Sequence, residues 1–287
     1  MLRKLERMLS VDALYRALLP LESIRAAANT PFRKGPPPLR LPDCVGRDRF
    51  LSMGKMRRRN HYLNQTIELF SDRLASPEWS RRCRINGEEH LQRARQQGKP
   101  VVLAFCHFEA FALLRFWLRA AGFPVTNLIR DEAIRPSMRQ LTDRLTPFPE
   151  VPTVICRDEL SRAIGLLKTG IPLLVAVDSP NGKQLQVPIQ EGWSFQMATG
   201  AIRMAISQEA ELISCAIIDE GRWHYRIELG RPVPRELLTA GNDWLPAGIF
   251  LLEQLLPHVR NHPEQSLAVI KRIQPTASNA ALTIQHQ

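Results

Sequence analysis

The 287-residue chain is 44% hydrophobic and 23% charged, the balance of a globular protein long enough to bury a core. That excludes a disordered chain, and the absence of any run of about 18 apolar residues excludes a membrane-spanning helix. The net charge is +11 and uneven: residues 1–100 carry 21 Lys+Arg against 10 Asp+Glu, whereas residues 101–287 carry 18 of each. Such asymmetry points to an anionic partner for the first third: lipid headgroups, nucleic acid or an acidic carrier protein.

Residues 2–27 have helical spacing, with Leu2, Leu5, Leu9, Leu14, Leu18 and Leu21 among Arg3, Lys4, Arg7, Arg16 and Arg25, and Pro20 interrupting. A basic amphipathic helix of this kind either lies on an anionic membrane surface or packs on the protein's own core; the pattern leaves both open. The N-terminus lacks the apolar core of a signal peptide, so the protein is expected in the cytoplasm. Residues 30–43, with Pro31, Pro36, Pro37, Pro38 and Pro42, read as an extended linker. Residues 46–75 read as helical, with Lys55, Arg57, Arg58 and Arg59 ahead of Leu63, Ile67 and Phe70. The expected organisation is a basic arm and linker over 1–45, an α/β domain over 46–275 and a polar tail over 276–287.

From Arg82 onward strands and helices alternate. Strands are predicted at 83–86, 101–105, 125–129, 153–156, 172–177, 212–218 and 223–229. Helices are predicted at 88–97, 110–121, 136–145, 159–168, 198–207 and 243–259. This alternation argues for a mainly parallel, mixed sheet flanked by helices on both faces.

Three predicted strands end in residues that carry chemistry. The apolar run Val101–Phe105 stops at His107 and Glu109, the run to Ile129 stops at Arg130, and the run to Val177 stops at Asp178. Open α/β sheets bind ligands at the carboxyl ends of their strands, so these side chains can converge on one cleft. A histidine there suits general-base work, because its ordinary pKa lies near neutrality. Each residue also has a plain reading: Arg130–Asp131 as a surface pair, Asp178-Ser-Pro-Asn-Gly as a turn, and Glu109 as a helix cap. Cys106 precedes His107, but adjacent strand residues point to opposite faces, which argues against a shared nucleophilic site. The five cysteines are scattered without a C-x-x-C pair, as expected for reduced thiols. His258 and His262 are spaced by four without a recognised metal-ligand pattern, so no metal is expected. No Walker loop, G-x-G-x-x-G fingerprint or nucleic-acid-binding motif occurs, so neither a nucleotide cofactor nor a nucleic-acid partner is expected.

Several segments follow a known order. They are Arg57-Arg58-Arg59-Asn60 with Glu68; Ile85-Asn86-Gly87-Glu88-Glu89-His90-Leu91; Gly98 through His107-Phe108; Ile129-Arg130; and Leu167-Lys168-Thr169-Gly170 with Asp178. Val187-Pro188-Ile189-Gln190-Glu191-Gly192 follows, then Gly200 and Arg203-Met204-Ala205, then His262-Pro263-Glu264-Gln265 with Ser266 in place of an aromatic residue. In this order they resemble the bacterial lipid A biosynthesis (late) acyltransferases of the lysophospholipid acyltransferase superfamily, over roughly residues 50–272. The resemblance implies transfer of a fatty acyl group from an acyl carrier protein or coenzyme A thioester to a hydroxyl of a lipid or glycolipid, with no further cofactor. It implies His107 as general base. The family's H-x4-D/E carboxylate falls here on Ala112, so Glu109 is the nearest substitute, with Asp178 or Glu191 as more distant ones. Arg130, Asp178 and Gly192 are the candidate substrate-binding positions. With the basic first third, the resemblance implies a peripheral protein on the inner face of the cell membrane. Ala112 also motivates a second reading, a non-catalytic acyl-chain- or lipid-binding homologue.

Overall fold

A computed structural model describes residues 10–28, 73–129, 147–190, 192–239 and 243–276. The predicted helices over 46–75 and 136–145, Arg130, Glu191 and the polar tail lie outside the described residues, apart from the last three positions of the first helix and the first of the tail. Seven strands form the main sheet: β1 (Cys83–Asn86), β2 (Val101–Phe105), β3 (Thr126–Ile129), β4 (Val154–Cys156), β5 (Leu173–Ala176), β8 (Glu211–Gly221) and β9 (His224–Pro232). Their order is β1-β9-β8-β2-β5-β3-β4. Strands β8, β2, β5, β3 and β4 are parallel, while β9 returns antiparallel to β8 and β1 runs parallel to β9. The expected mixed, mainly parallel sheet with helices on both faces is therefore present.

The central strands are apolar throughout because both faces are covered. Val101 to Phe105 are all buried. Alternation sends Val102 and Ala104 into one core and Val101, Leu103 and Phe105 into the other. The first core is closed by α5 (Leu160–Lys168), α6 (Gly200–Ser207) and α8 (Leu245–Asn261), and the second by α1 (Val11–Ala28), α3 (Glu88–Gln96) and α4 (Phe111–Ala120). Three short helices, α2 (Pro77–Ser80), α7 (Arg235–Thr239) and α9 (Leu267–Ile270), complete the described helices of α type.

The helix predicted near the N-terminus spans Val11–Ala28 and runs through Pro20. Val11, Leu14 and Leu18 are buried, so this helix packs on the core. Each such side chain contributes at most about 1.5–3 kcal/mol by burial. Tyr15 meets Trp223 edge-on at 5.3 Å, and Asp12 pairs with Arg82 at 2.9 Å, which holds the Asp12 carboxyl below its ordinary range.

A second sheet was not anticipated. Strands β6 (Gln184–Gln190) and β7 (Trp193–Ala198) form a hairpin, and β10 (Ile273–Pro275) adds antiparallel to β7. Pro188 of β6 argues against a strand interior, although Gln184, Gln186 and Gln190 alternate with Leu185, Val187 and Ile189 as a strand requires. Only Val187 of that strand is fully buried, and the ladder shifts between Pro188 and Gln190. Met197 and Phe195 anchor the hairpin in the first core.

Candidate active site

The site follows from strand register. β2 and β5 are neighbours, and Phe105 lies opposite Ala176. His107 and Asp178 each stand two residues beyond that pair, so they leave the sheet level with one another. Val177 donates its N–H to the Phe105 carbonyl at 2.9 Å, extending the pairing past both strand ends. Ala198, at the end of β7, donates to the Val177 carbonyl at 2.7 Å and ties the hairpin to the same edge.

Asp178 grips His107 twice. One carboxylate oxygen accepts the His107 backbone N–H at 2.9 Å, and the other lies 2.6 Å from imidazole Nδ1. The Asp178 side chain is fully buried, whereas that of His107 is 33% exposed. A buried carboxylate on Nδ1 fixes the proton there and leaves the Nε2 lone pair available to a reactant. The ring is further braced by Phe111, whose ring meets it edge-on at 4.5 Å. Chemically the pair is a base oriented by a carboxylate.

After His107 the chain turns. Phe111 donates to the Phe108 carbonyl at 2.9 Å, and α4 begins at Phe111 with Ala110 as its cap. Glu109 therefore stands ahead of the helix, and its backbone N–H goes to the Gln265 carbonyl at 2.8 Å. Its charge is felt by Tyr225 on β9, whose phenol is pushed up chiefly by burial and then by Asp219, Tyr15, Cys83 and Glu109. The Glu109 main chain is thus tied to Gln265, while Asp178 holds His107 from the β5 side. Ala112 sits in the first turn of α4.

Of the residues singled out from sequence, His107 and Asp178 are brought together. Gly192 forms the tip of the β6–β7 hairpin with φ of 81°, a conformation that glycine adopts without strain. Its carbonyl accepts the Thr276 N–H at 2.9 Å. That tip lies about 20 Å along β7 from Ala198, at roughly 3.3 Å per residue. Arg130 lies outside the described residues, one position past β3. Cys106 points into the first core, and burial, then the Asp178 charge, pushes its thiol far up. It is therefore a packing residue rather than a nucleophile. Cys83, Cys106, Cys156 and Cys215 are all free thiols. Among the described residues one cluster, Cys156, Asp158 and Glu159, brings ligand atoms of metal-binding type together, away from His107 on the first turn after β4. Sequence reasoning assigned Gln265 no role, although it contacts the turn that carries His107.

Residues 60–273 match the sequence model of a family described as bacterial lipid A biosynthesis acyltransferase. No curated protein matches the chain.

Proposed function

The chain belongs to the bacterial lipid A biosynthesis acyltransferase family, and from that premise we propose that it moves a fatty acyl group from an acyl thioester to a hydroxyl, with His107 as base and Asp178 as its orienting carboxylate. The observation that carries this reading is the 2.6 Å contact between His107 Nδ1 and a fully buried Asp178. Ala112 cannot hold an imidazole, and Asp178 supplies the missing carboxylate from the neighbouring strand. The orienting role that sequence proximity suggested for Glu109 therefore passes to Asp178.

The chemistry then runs through one open nitrogen. The acceptor hydroxyl donates its proton to Nε2 as its oxygen attacks the thioester carbonyl carbon. The imidazolium so formed is stabilised by the Asp178 carboxylate. The tetrahedral oxyanion collapses, the C–S bond breaks, and the imidazolium returns the proton to the leaving sulfur. Products are an ester and a free thiol. Arg130, one residue past the end of β3, is the candidate to stabilise the oxyanion or bind an acceptor phosphate, since a guanidinium matches either. Glu109, which stands ahead of α4, stays a candidate for accepting hydrogen bonds from acceptor hydroxyls.

The same reading puts the protein on an anionic membrane, with an acyl carrier protein or acyl-coenzyme A as donor. Among the described residues no helix is long and apolar enough to cross a membrane. The outward face of α1 nevertheless carries Leu21 and Ile24 at 60% and 66% exposure. Trp223, against which α1 packs, lies in the β8–β9 turn, beyond the carboxyl end of β2. Exposed apolar side chains on a helix within a basic third of the chain suit an enzyme whose acceptor resides in a membrane. The decisive experiment is a labelled-acyl transfer assay with purified protein, an acyl-carrier-protein thioester and a phosphorylated glycolipid acceptor. Label appears as an oxygen ester under the proposal. Retention of all label on the donor, with both donor and acceptor chemistries varied, refutes it.

A further inference from the structure

The turn that carries His107 is held from two sides. On the β5 flank, Asp178 accepts the His107 N–H at 2.9 Å. On the β8 flank, the carbonyl of Gln265 accepts the Glu109 N–H at 2.8 Å. Gln265 closes a short 3-10 turn, Pro263–Gln265, that follows α8, and it is 9% exposed.

The Gln265 side chain is anchored to β8. The Asp219 N–H donates to Gln265 Oε1 at 2.9 Å, and Gln265 Nε2 donates to the Asp219 carbonyl at 2.9 Å. The geometry of the sheet explains why an amide is needed. β2 ends at Phe105, opposite Cys215, but β8 continues to Gly221. Asp219 lies opposite Tyr225, whose N–H is directed away to Arg82 on the β1 side. The two main-chain groups of Asp219 therefore face the β2 side, where β2 has already stopped. The Gln265 amide, with one donor and one acceptor, fills the place of a strand residue there. Its own main chain then reaches the turn of His107. Ser266, fully buried, braces this arrangement through its Oγ, which donates to the His262 carbonyl at 2.9 Å.

We propose that Gln265 is a positioning residue for His107, linking the end of β8 to the turn that aims the imidazole. Its effect on rate rests on the acyltransferase reading; its effect on the imidazole does not. Leucine at this position keeps the volume and removes both amide contacts. Hydrogen bonds to Asp219 are lost, the 3-10 turn loosens, and the Glu109 N–H loses its fixed acceptor. Glutamate keeps the shape, but only its protonated form can donate to the Asp219 carbonyl.

The test measures transfer kinetics and the His107 Nδ1–H resonance of the full chain, with melting curves as a check on folding. Gln265→Leu is expected to lower kcat about tenfold or more while KM for the acyl thioester stays within about twofold, because a small misalignment of the base acts on the chemical step. The His107 Nδ1–H resonance is expected to shift and broaden. The rate of Gln265→Glu, relative to wild type, is expected to rise as the pH falls from about 7.5 to about 5.5, as the carboxyl gains its proton. A folded Gln265→Leu with wild-type kcat and an unchanged His107 resonance overturns the proposal. If that variant does not fold, Gln265→Glu decides, and a pH profile parallel to wild type overturns it. If wild type transfers no acyl group, the enzyme reading falls, while the resonance in the folded variants still tests the positioning.

Discussion

Asp178→Asn isolates the orienting carboxylate. The substitution keeps side-chain volume in a position with no exposure, so packing is preserved. Two bonds compete for the asparagine. The His107 N–H at 2.9 Å and the Nδ1 atom at 2.6 Å both faced carboxylate oxygens, and the amide has only one. If its oxygen keeps the backbone N–H, its NH2 faces Nδ1 and favours the tautomer protonated on Nε2. That tautomer has no lone pair toward the acceptor hydroxyl. The comparable change in a Ser-His-Asp triad costs about 10⁴-fold in kcat, and a loss of about 10³–10⁴-fold is expected here. Stability should change far less, by about 1–3 kcal/mol, since one hydrogen bond to the backbone survives. Initial rates of labelled-acyl transfer, with a 15N histidine spectrum to read the tautomer, check both halves. A folded variant within about threefold of wild type, with Nδ1 still protonated, refutes the assignment of Asp178.

Other outcomes follow from the same geometry. Glu109→Gln should leave the His107 tautomer unchanged and cost at least about tenfold less in rate than Asp178→Asn, because it is Asp178 that lies 2.6 Å from Nδ1; a tautomer change in that spectrum contradicts this. His258 is held below its ordinary 6.5, chiefly by burial, so the unfolded chain binds the proton more readily. Its contribution to stability is full above about 6.5 and is lost as the pH falls from there through the lower folded value. Melting temperatures between about pH 7.5 and 5 should therefore fall more steeply for wild type than for His258→Gln; parallel curves refute this. Replacing exposed Leu21 and Ile24 by serine should weaken partition onto anionic vesicles by roughly tenfold or more, since each side chain gains about 1.5–3 kcal/mol when fully buried. Added salt should weaken wild-type binding too. Salt-insensitive partition that the double variant shares with wild type contradicts a membrane role for α1.

Much of the sheet was legible because its strands are buried on both sides and read as continuous apolar runs. Val101–Phe105 and Leu173–Ala176 are examples, and they run toward His107 and Asp178 respectively. Sequence could not supply the strand order. Only with β5 beside β2, and Phe105 opposite Ala176, do His107 and Asp178 become neighbours. Glu109 looked the better partner because it is close in sequence, whereas the contact of Asp178 with Nδ1 arises between residues 71 positions apart. The β6–β7 hairpin was missed although Gln184, Gln186 and Gln190 alternate with Leu185, Val187 and Ile189 at a strand's period, because Pro188 argues against a strand interior and is tolerated only on an edge strand such as β6. Gln265 was visible only as part of a motif. Its contacts with Asp219 and Glu109 are long-range and leave no local signal.

The account stands most directly on the base. His107→Ala removes the imidazole and leaves Asp178 with its bond to the backbone N–H, so the fold should persist. Labelled-acyl transfer to a hydroxyl acceptor by this variant, compared with wild type at equal folded concentration, is the measurement. A fall of at least about 10²–10⁴-fold, with donor binding retained, is the predicted result. Transfer at the wild-type rate by the folded variant contradicts the account.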